Sequence, residues 1–171
     1  YNCQYLAVNR VAAFDEALYL MSCGSGVGYS VERQFIVDLP ELPSSLYPTE
    51  SIISVPDSRI GWASSLRQLI TMLYSGHIPK WDVSKVRPKG ARLKKFGGRA
   101  SGPGPLEELF RHVISIFKSA VDQQQRKLNS IQVHSIMTKI CDAIVSGGIR
   151  RAAMLSLSNL SDDRMRSAKM G

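Results

Sequence analysis

The chain has 171 residues, 44% of them hydrophobic, and its 22 basic against 14 acidic residues give a formal net charge of +8. This allows one domain of ordinary size with a real core and excludes a disordered composition; no apolar run approaches the ~20 residues of a membrane span, and no basic-then-apolar leader opens the sequence. Three cysteines, with no C-x-x-C pair and no histidine cluster, argue against a disulfide-stapled secreted domain and against a metal site, and for a reducing, cytoplasmic setting.

Asn2–Val8 is short, apolar and partly alternating, the pattern of a strand, and Cys3 at its start reads as a small buried hydrophobe. Ala12–Met21 sets Phe14, Leu18 and Met21 at helical spacing, with Asp15 and Glu16 in the first turn, where acids are favourably placed. Gly24, Gly26 and Gly28 then alternate. This is not the dinucleotide G-x-G-x-x-G spacing, because the third glycine comes one residue early. It predicts a strand with one bare face, closely approached by another backbone or by a flat ligand.

Asp38–Thr49, with Pro40, Pro43 and Pro48, reads as a surface connection, and Ile52–Val55 as a short strand. Asp57 or Ser58 caps a helix over Ile60–Ser75, which Gly76 ends. Lys80–Arg99 concentrates Lys80, Lys85, Arg87, Lys89, Arg92, Lys94, Lys95 and Arg99 against the single acid Asp82. Pro88, Gly90 and Gly97-Gly98 make it a loop rather than a basic helix face, better suited to discrete phosphates than to a duplex. The loop feeds a helix opened by Pro105, with the stripe Leu106, Leu109, Phe110, Val113 and Phe117; such a helix N-terminus is a ready anion site.

Ser130 is placed as the cap of the next helix, with Val133, Ile136, Met137, Ile140 and Ile144 inward and His134 as a packing or hydrogen-bonding residue. Gly147-Gly148 ends it in a tight crossover, Arg150 and Arg151 follow, and Ala152–Leu157 is strand-like. A last helix starts at Ser161-Asp162-Asp163. Strands alternate with helices and no tight hairpin signal occurs, so the expected fold class is α/β, largely parallel, with loops gathered at one end. The chain opens without Met inside a strand pattern and stops soon after a helix begins, so part of a larger protein is expected.

The ordered set Tyr1-Asn-Cys3, Phe14-Asp-Glu-Ala-Leu18, Cys23-Gly-Ser-Gly-Val-Gly-Tyr-Ser-Val-Glu32, Val55-Pro-Asp-Ser-Arg-Ile-Gly-Trp62, Val86-Arg-Pro-Lys-Gly-Ala-Arg92, Phe96-Gly-Gly-Arg-Ala-Ser-Gly-Pro103, Val145-Ser-Gly-Gly-Ile-Arg-Arg-Ala-Ala153 and Ser158-Asn-Leu-Ser-Asp-Asp-Arg-Met-Arg166 resembles class II, adenosylcobalamin-dependent ribonucleotide reductase, in its ribonucleoside-triphosphate reductase branch. Each motif alone is weak; the order is specific and runs nearly end to end.

The resemblance implies a ten-stranded α/β barrel, of which residues 1–171 would supply the first half as a parallel half-barrel with outer helices. It implies replacement of the ribose 2′-hydroxyl by hydrogen through a cobalamin-initiated thiyl radical, with a cysteine pair as reductant. Cys3 matches the first member of that pair. Asn2, Gly26 and Gly28 match the strands beside the substrate. Gly147, Gly148, Arg150 and Arg151 match a specificity loop, Arg92 and Arg99 an effector-responsive loop, and Asp15 a position near the effector. Cys23 and Cys141 do not match the radical cysteine or the second redox cysteine, so the 171 residues alone are expected to be inactive. The implied cofactor is adenosylcobalamin, held mostly by residues outside this sequence. The implied partners are a ribonucleoside tri- or diphosphate, a deoxynucleoside triphosphate effector and a thioredoxin-type reductant, with no membrane and no direct nucleic acid. The alternative is a nucleotide- or nucleic-acid-binding module using loop 80–99. Only Phe96 among the aromatics is interleaved with those charges, which disfavours single-strand binding.

Overall fold

A computed structural model describes residues 2–93, 98–148 and 152–169. The elements in chain order are β1 (Cys3–Ala7), α1 (Ala12–Ser22), β2 (Gly26–Ser30), α2 (Arg33–Ile36), β3 (Tyr47–Ser54), α3 (Arg59–Tyr74), β4 (His77–Asp82), α4 (Gly104–Asp122), α5 (Ser130–Ser146), β5 (Ala153–Leu157) and α6 (Asp163–Arg166). Pairing between these strands is parallel throughout, as the alternating pattern predicts, but it falls into two sheets. One has the order β1-β2-β5; the other is the pair β3-β4. The strand near residue 52 therefore does not join the glycine strand. It pairs instead with His77–Asp82 after α3, whose last three residues fall in the stretch that the basic, Pro- and Gly-interrupted pattern marks as a loop. Pro79, Lys80 and Asp82 break the apolar pattern of β4 and hide it from periodicity.

Four helices close a ring between the sheets: α1 packs on α3, α3 on α4, α4 on α5, and α5 on α1. Their apolar stripes face inward. Leu106, Leu109, Phe110, Val113 and Phe117 of α4 are completely buried, as are Val133, Ile136, Met137 and Ile140 of α5. Phe117 meets Tyr74 of α3 edge to face at 4.9 Å, and Phe110 meets Trp81 of β4 at 5.4 Å. The core is one contiguous cluster reaching from Val27 and Tyr29 of the first sheet to Ile53 of the second.

Local chemistry sets the helix ends. Ser58, not Asp57, caps α3 by accepting from the Gly61 amide at 2.9 Å. A Cβ on Gly61 would stand 2.6 Å from the Pro56 Cβ, so the tight entry to α3 requires glycine there. The cap of α5 is Asn129 rather than Ser130, in a reciprocal capping box with Gln132. Ser130 instead donates its hydroxyl to Asp162, the N-cap of α6, whose carboxylate also accepts from the Met165 amide at 3.2 Å.

Burial pushes the Asp162 carboxyl up, but the hydrogen bonds from Ser130 and Met165 and the nearby Arg33 outweigh it and hold it below the usual carboxylate range. The stability it contributes is present above its unfolded pKa of about 3.9 and is lost as pH falls through the lower folded value. Asp162→Ala is expected to lower unfolding free energy by about 1–3 kcal/mol at neutral pH. In denaturant titrations read by circular dichroism, its difference from the parent should shrink as pH drops below the unfolded value.

Candidate functional site

The first sheet is asymmetric. Val27 and Tyr29 of β2 are buried against the helices, whereas the other face carries Cys3 and Tyr5 of β1, Gly26 and Gly28 of β2, and Ala153, Leu155 and Leu157 of β5. Register aligns Cys3, Gly26 and Ala153 in one row and Tyr5, Gly28 and Leu155 in the next. This face is open: Tyr5 is 58% and Leu155 64% exposed. Cys3 is exposed as well, so it is not the buried small hydrophobe expected from its apolar neighbours. An edge strand that turns alternate residues outward put it on the bare side.

The glycines are not imposed by the protein's own packing. Neither has a positive φ. A Cβ on Gly26 would meet only ordinary contacts: the Asn2 carbonyl at 3.6 Å, Cys3 Sγ at 3.7 Å and the Ala153 carbonyl at 3.9 Å. At Gly28 the nearest atoms are the Gln4 carbonyl at 3.8 Å and the Tyr5 ring at 3.9 Å. Of the two occupants left open by the sequence, another backbone is therefore not what fills this face among the described residues. The Cys3 thiol stands beside a bare strip at Gly26 and Gly28, flanked by the apolar side chains of Tyr5 and Leu155.

Because the strands are parallel, their starting ends gather at one edge. There the Asn2 carbonyl accepts from the Gly26 amide at 2.8 Å, and β5 begins shortly after the turn that ends α5. Gly148 in that turn has φ +95°, which a side chain would strain. A Cβ there would lie 3.8 Å from the Arg99 carbonyl, so the turn lies against the basic loop. That loop is a hairpin: Arg92 and Arg99 form an antiparallel bridge, the Leu93 amide donates to the Gly98 carbonyl at 3.1 Å, and the Gly90 amide donates to the Ala100 carbonyl at 2.8 Å. Arg92, Leu93, Gly98 and Arg99 line one shallow concavity. The Arg99 guanidinium donates to the Gly90 carbonyl at 3.1 Å, and Arg92 makes no ion pair among the described residues.

The structure thus brings together Asn2, Cys3 and Gly26 on the sheet, and Gly148 with Arg99 beside its starting edge. Gly147 is the C-cap of α5. Arg150 and Arg151 lie outside the described residues, as do Lys94 and Lys95 of the basic run. The run is partly neutralised: Lys80 pairs with Glu50 at 2.7 Å and Arg87 with Asp57 at 2.8 Å. These partners sit on β3 and just before α3, so only tertiary structure shows them.

Asp15 is separate. It lies near the start of α1, about 11 Å of helix from the end where Gly26 follows. It is buried, and its Oδ2 takes Arg67 of α3 in a two-pronged pair at 2.8 and 3.0 Å. Its Oδ1 is buried without a hydrogen-bond partner. Sequence reading missed Arg67, which sits 52 positions away. It also left the partner of His134 open; this is the phenol of Tyr29, 2.6 Å from Nδ1.

Among the described residues no cluster of His, Cys, Asp and Glu could hold a metal ion, and no helix is long and apolar enough to cross a membrane.

Residues 38–117 match the family model described as the insertion domain of B12-dependent ribonucleotide reductase. The chain is 33% identical to the adenosylcobalamin-dependent ribonucleoside-triphosphate reductase of Euglena gracilis, over 91% of this chain and 21% of that protein. It is 27% identical to the enzyme of the same name from Lacticaseibacillus paracasei, over 88% of this chain and 24% of that protein. A crystal structure of a B12-dependent (class II) ribonucleotide reductase superposes with a TM-score of 0.83 at 22% identity, covering 99% of this chain and 30% of that one, and so shows the same fold. The chain spans about a fifth to a quarter of the length of these curated relatives. Similarity to reductases does not favour the nucleic-acid alternative for loop 80–99.

Since the protein does not need its bare glycines for packing, Gly26→Ala is expected to fold normally and to gain up to about 1 kcal/mol from the stiffer unfolded chain. A thermal melt checks this; a large loss of stability would mean that something in the fold itself occupies the space.

Proposed function

The chain belongs to the class II, adenosylcobalamin-dependent ribonucleotide reductases, and we propose that it contributes the reducing thiol and the nucleotide-selecting loops for conversion of ribonucleoside triphosphates to deoxyribonucleotides. The observation that carries this reading is the exposed Cys3 thiol beside Gly26, 3.7 Å from where a Cβ would stand. The triphosphate is chosen because the relatives' names specify it.

In this reading β1, β2 and β5 are part of the wall of a ten-stranded barrel, with their open face turned to its interior. The matched insertion interrupts that wall with β3, α3, β4 and most of α4. The ribose lies over Gly26 and Gly28, where a side chain would take its space, with Asn2 at the edge of the shelf. When bound, adenosylcobalamin would supply the radical chemistry that opens the reaction, and no described residue of this chain is assigned to hold it. The chain's own step is reductive. The Cys3 thiol delivers hydrogen equivalents, the C2′–O bond breaks, the oxygen leaves as water, and Cys3 closes a disulfide with a second cysteine. Cys141 does not serve as that second cysteine: it sits half-buried on α5, on the far side of the sheet. A thioredoxin-type dithiol then regenerates the pair.

Gly147, Gly148, Arg150 and Arg151 form the loop that senses the effector deoxynucleotide and biases the substrate base. The close approach of Gly148 to the Arg99 carbonyl, 3.8 Å from where a Cβ would stand, supports a shared task for this turn and the basic hairpin. Arg92 and Arg99 supply charge for phosphates. Asp15 uses one oxygen to hold α3, while the other is buried without a partner, and in this reading it acts on the effector region through α1 and α3.

Three outcomes test this. Cys3→Ser, in the reductase containing this chain, is expected to abolish multiple turnover with a dithiol while Cys23→Ser retains it; turnover by the first variant ends the assignment. Gly26→Ala, stable by the melt above, is expected to lose substrate affinity. Arg92→Ala is expected to weaken effector binding about tenfold, the value of one charge-assisted hydrogen bond, as read by calorimetry.

A further inference from the structure

Behind the bare shelf, on the helix side of the sheet, lies a polar cluster that the proposed reaction does not use. Tyr29 is 1% exposed, and its phenol is 2.6 Å from His134 Nδ1, with the two rings stacked at 6.0 Å. In the sheet register Tyr29 stands beside Ser156 of β5, whose buried Oγ completes no hydrogen bond of good geometry. Burial pushes the phenol up, an effect the nearby Ser156 hydroxyl offsets only in part. Burial pushes the imidazole down, with help from Lys169. Both groups are therefore neutral near pH 7, so the phenol O–H donates and Nδ1 accepts, with the imidazole proton on Nε2.

The cluster joins three elements that matter to the loops. His134 lies in the second turn of α5, the helix that ends in Gly147-Gly148. Tyr29 lies on β2, next to Gly28 but on the opposite face of the sheet from the shelf. Ser156 lies on β5, the strand that follows the turn. The turn is thus anchored on both sides to β2: by strand pairing through β5, and by this hydrogen bond through α5. The helix between His134 and Gly147 is a rigid lever of about 20 Å, so a small tilt at the hydrogen bond is carried to the turn.

We propose that Tyr29 and His134 are positioning residues that hold α5 against β2 and thereby set the Gly147-Gly148 turn for nucleotide selection. The selection half rests on the functional reading above; the positioning half does not.

The test uses Tyr29→Phe, which keeps the ring and removes the donor, and His134→Asn, whose Oδ1 replaces Nδ1 as acceptor. Amide hydrogen exchange and the ratio of turnover on two substrate bases, each with its effector, are measured in the reductase containing this chain. Tyr29→Phe is expected to speed exchange at the end of α5 and in β5 by about 2- to 10-fold, the worth of one hydrogen bond, with α3 and α4 unchanged and base discrimination reduced. His134→Asn is expected to keep both near the parent. Unchanged exchange in Tyr29→Phe, or equal acceleration throughout the chain, overturns the proposal. Local acceleration with discrimination intact overturns its role in selection. A parent protein with no reductase activity would instead remove the functional reading, and the exchange result would then decide the positioning half by itself.

Discussion

Two parallel sheets that share no strand pairing have to be held by something else, and here it is the four-helix ring. Each sheet lends one face to it: β2 gives Val27 and Tyr29, and β3 gives Ile53. A two-stranded parallel sheet is marginal alone, so β3 and β4 exist only because α3 and α4 cover them. Equally, α1 and α5 are fixed not just by the strands they connect but by α3 and α4 on their far sides. The Asp15–Arg67 pair crosses that seam, tying the helix after β1 to the first helix of the matched insertion. A charged pair on a helix seam adds little net stability but fixes how α1 and α3 align, which apolar contacts alone leave freer.

The sheet asymmetry follows from the same ring. Helices cover one face only, so the period-2 alternation of β2 puts Val27 and Tyr29 inward and Gly26 and Gly28 outward, with Ser30 closing the strand against Glu32. On an ordinary solvated face the outward residues would be polar. Here side chains are absent at two successive outward positions of the central strand and apolar on its neighbours, with Tyr5 and Leu155 beside the gap and Leu157 at its end. A surface of that kind is unfavourable in water, and it makes sense when it is covered.

Much of this could be read from residues in order. The helices were legible because three- and four-residue spacing of Leu, Ile, Val and Phe is a strong, local signal; the stripes of α4 and α5 are buried as predicted. The glycine strand was legible because alternation is local too. What failed was non-local or short. β4 was hidden because a strand paired on one side tolerates Pro79 and charged residues. Separation of the sheets was hidden because pairing partners carry no mark in a single sequence. Asp57 and Ser58 were equal candidates for one cap until Arg87, distant in sequence, took Asp57 and left the cap to Ser58. Exposure of Cys3 was misjudged because an apolar context predicts burial only when the face is known.

Charge is placed by the same geometry. In a parallel sheet every strand starts at the same edge, so whatever precedes a strand collects there. Before β1 stands Asn2, before β2 the turn at Gly24, and before β5 the turn at Gly148, against which the Arg92–Arg99 hairpin leans. The hairpin belongs to the connection between β4 and α4 and the turn to the connection between α5 and β5, yet the ring holds α4 beside α5 and so delivers both to one place. The basic loop therefore acquires its position from helix packing and its charge from sequence. Removing either leaves the other without use: arginines without the ring would be a solvated charge run, and the ring without them would bring two neutral turns together.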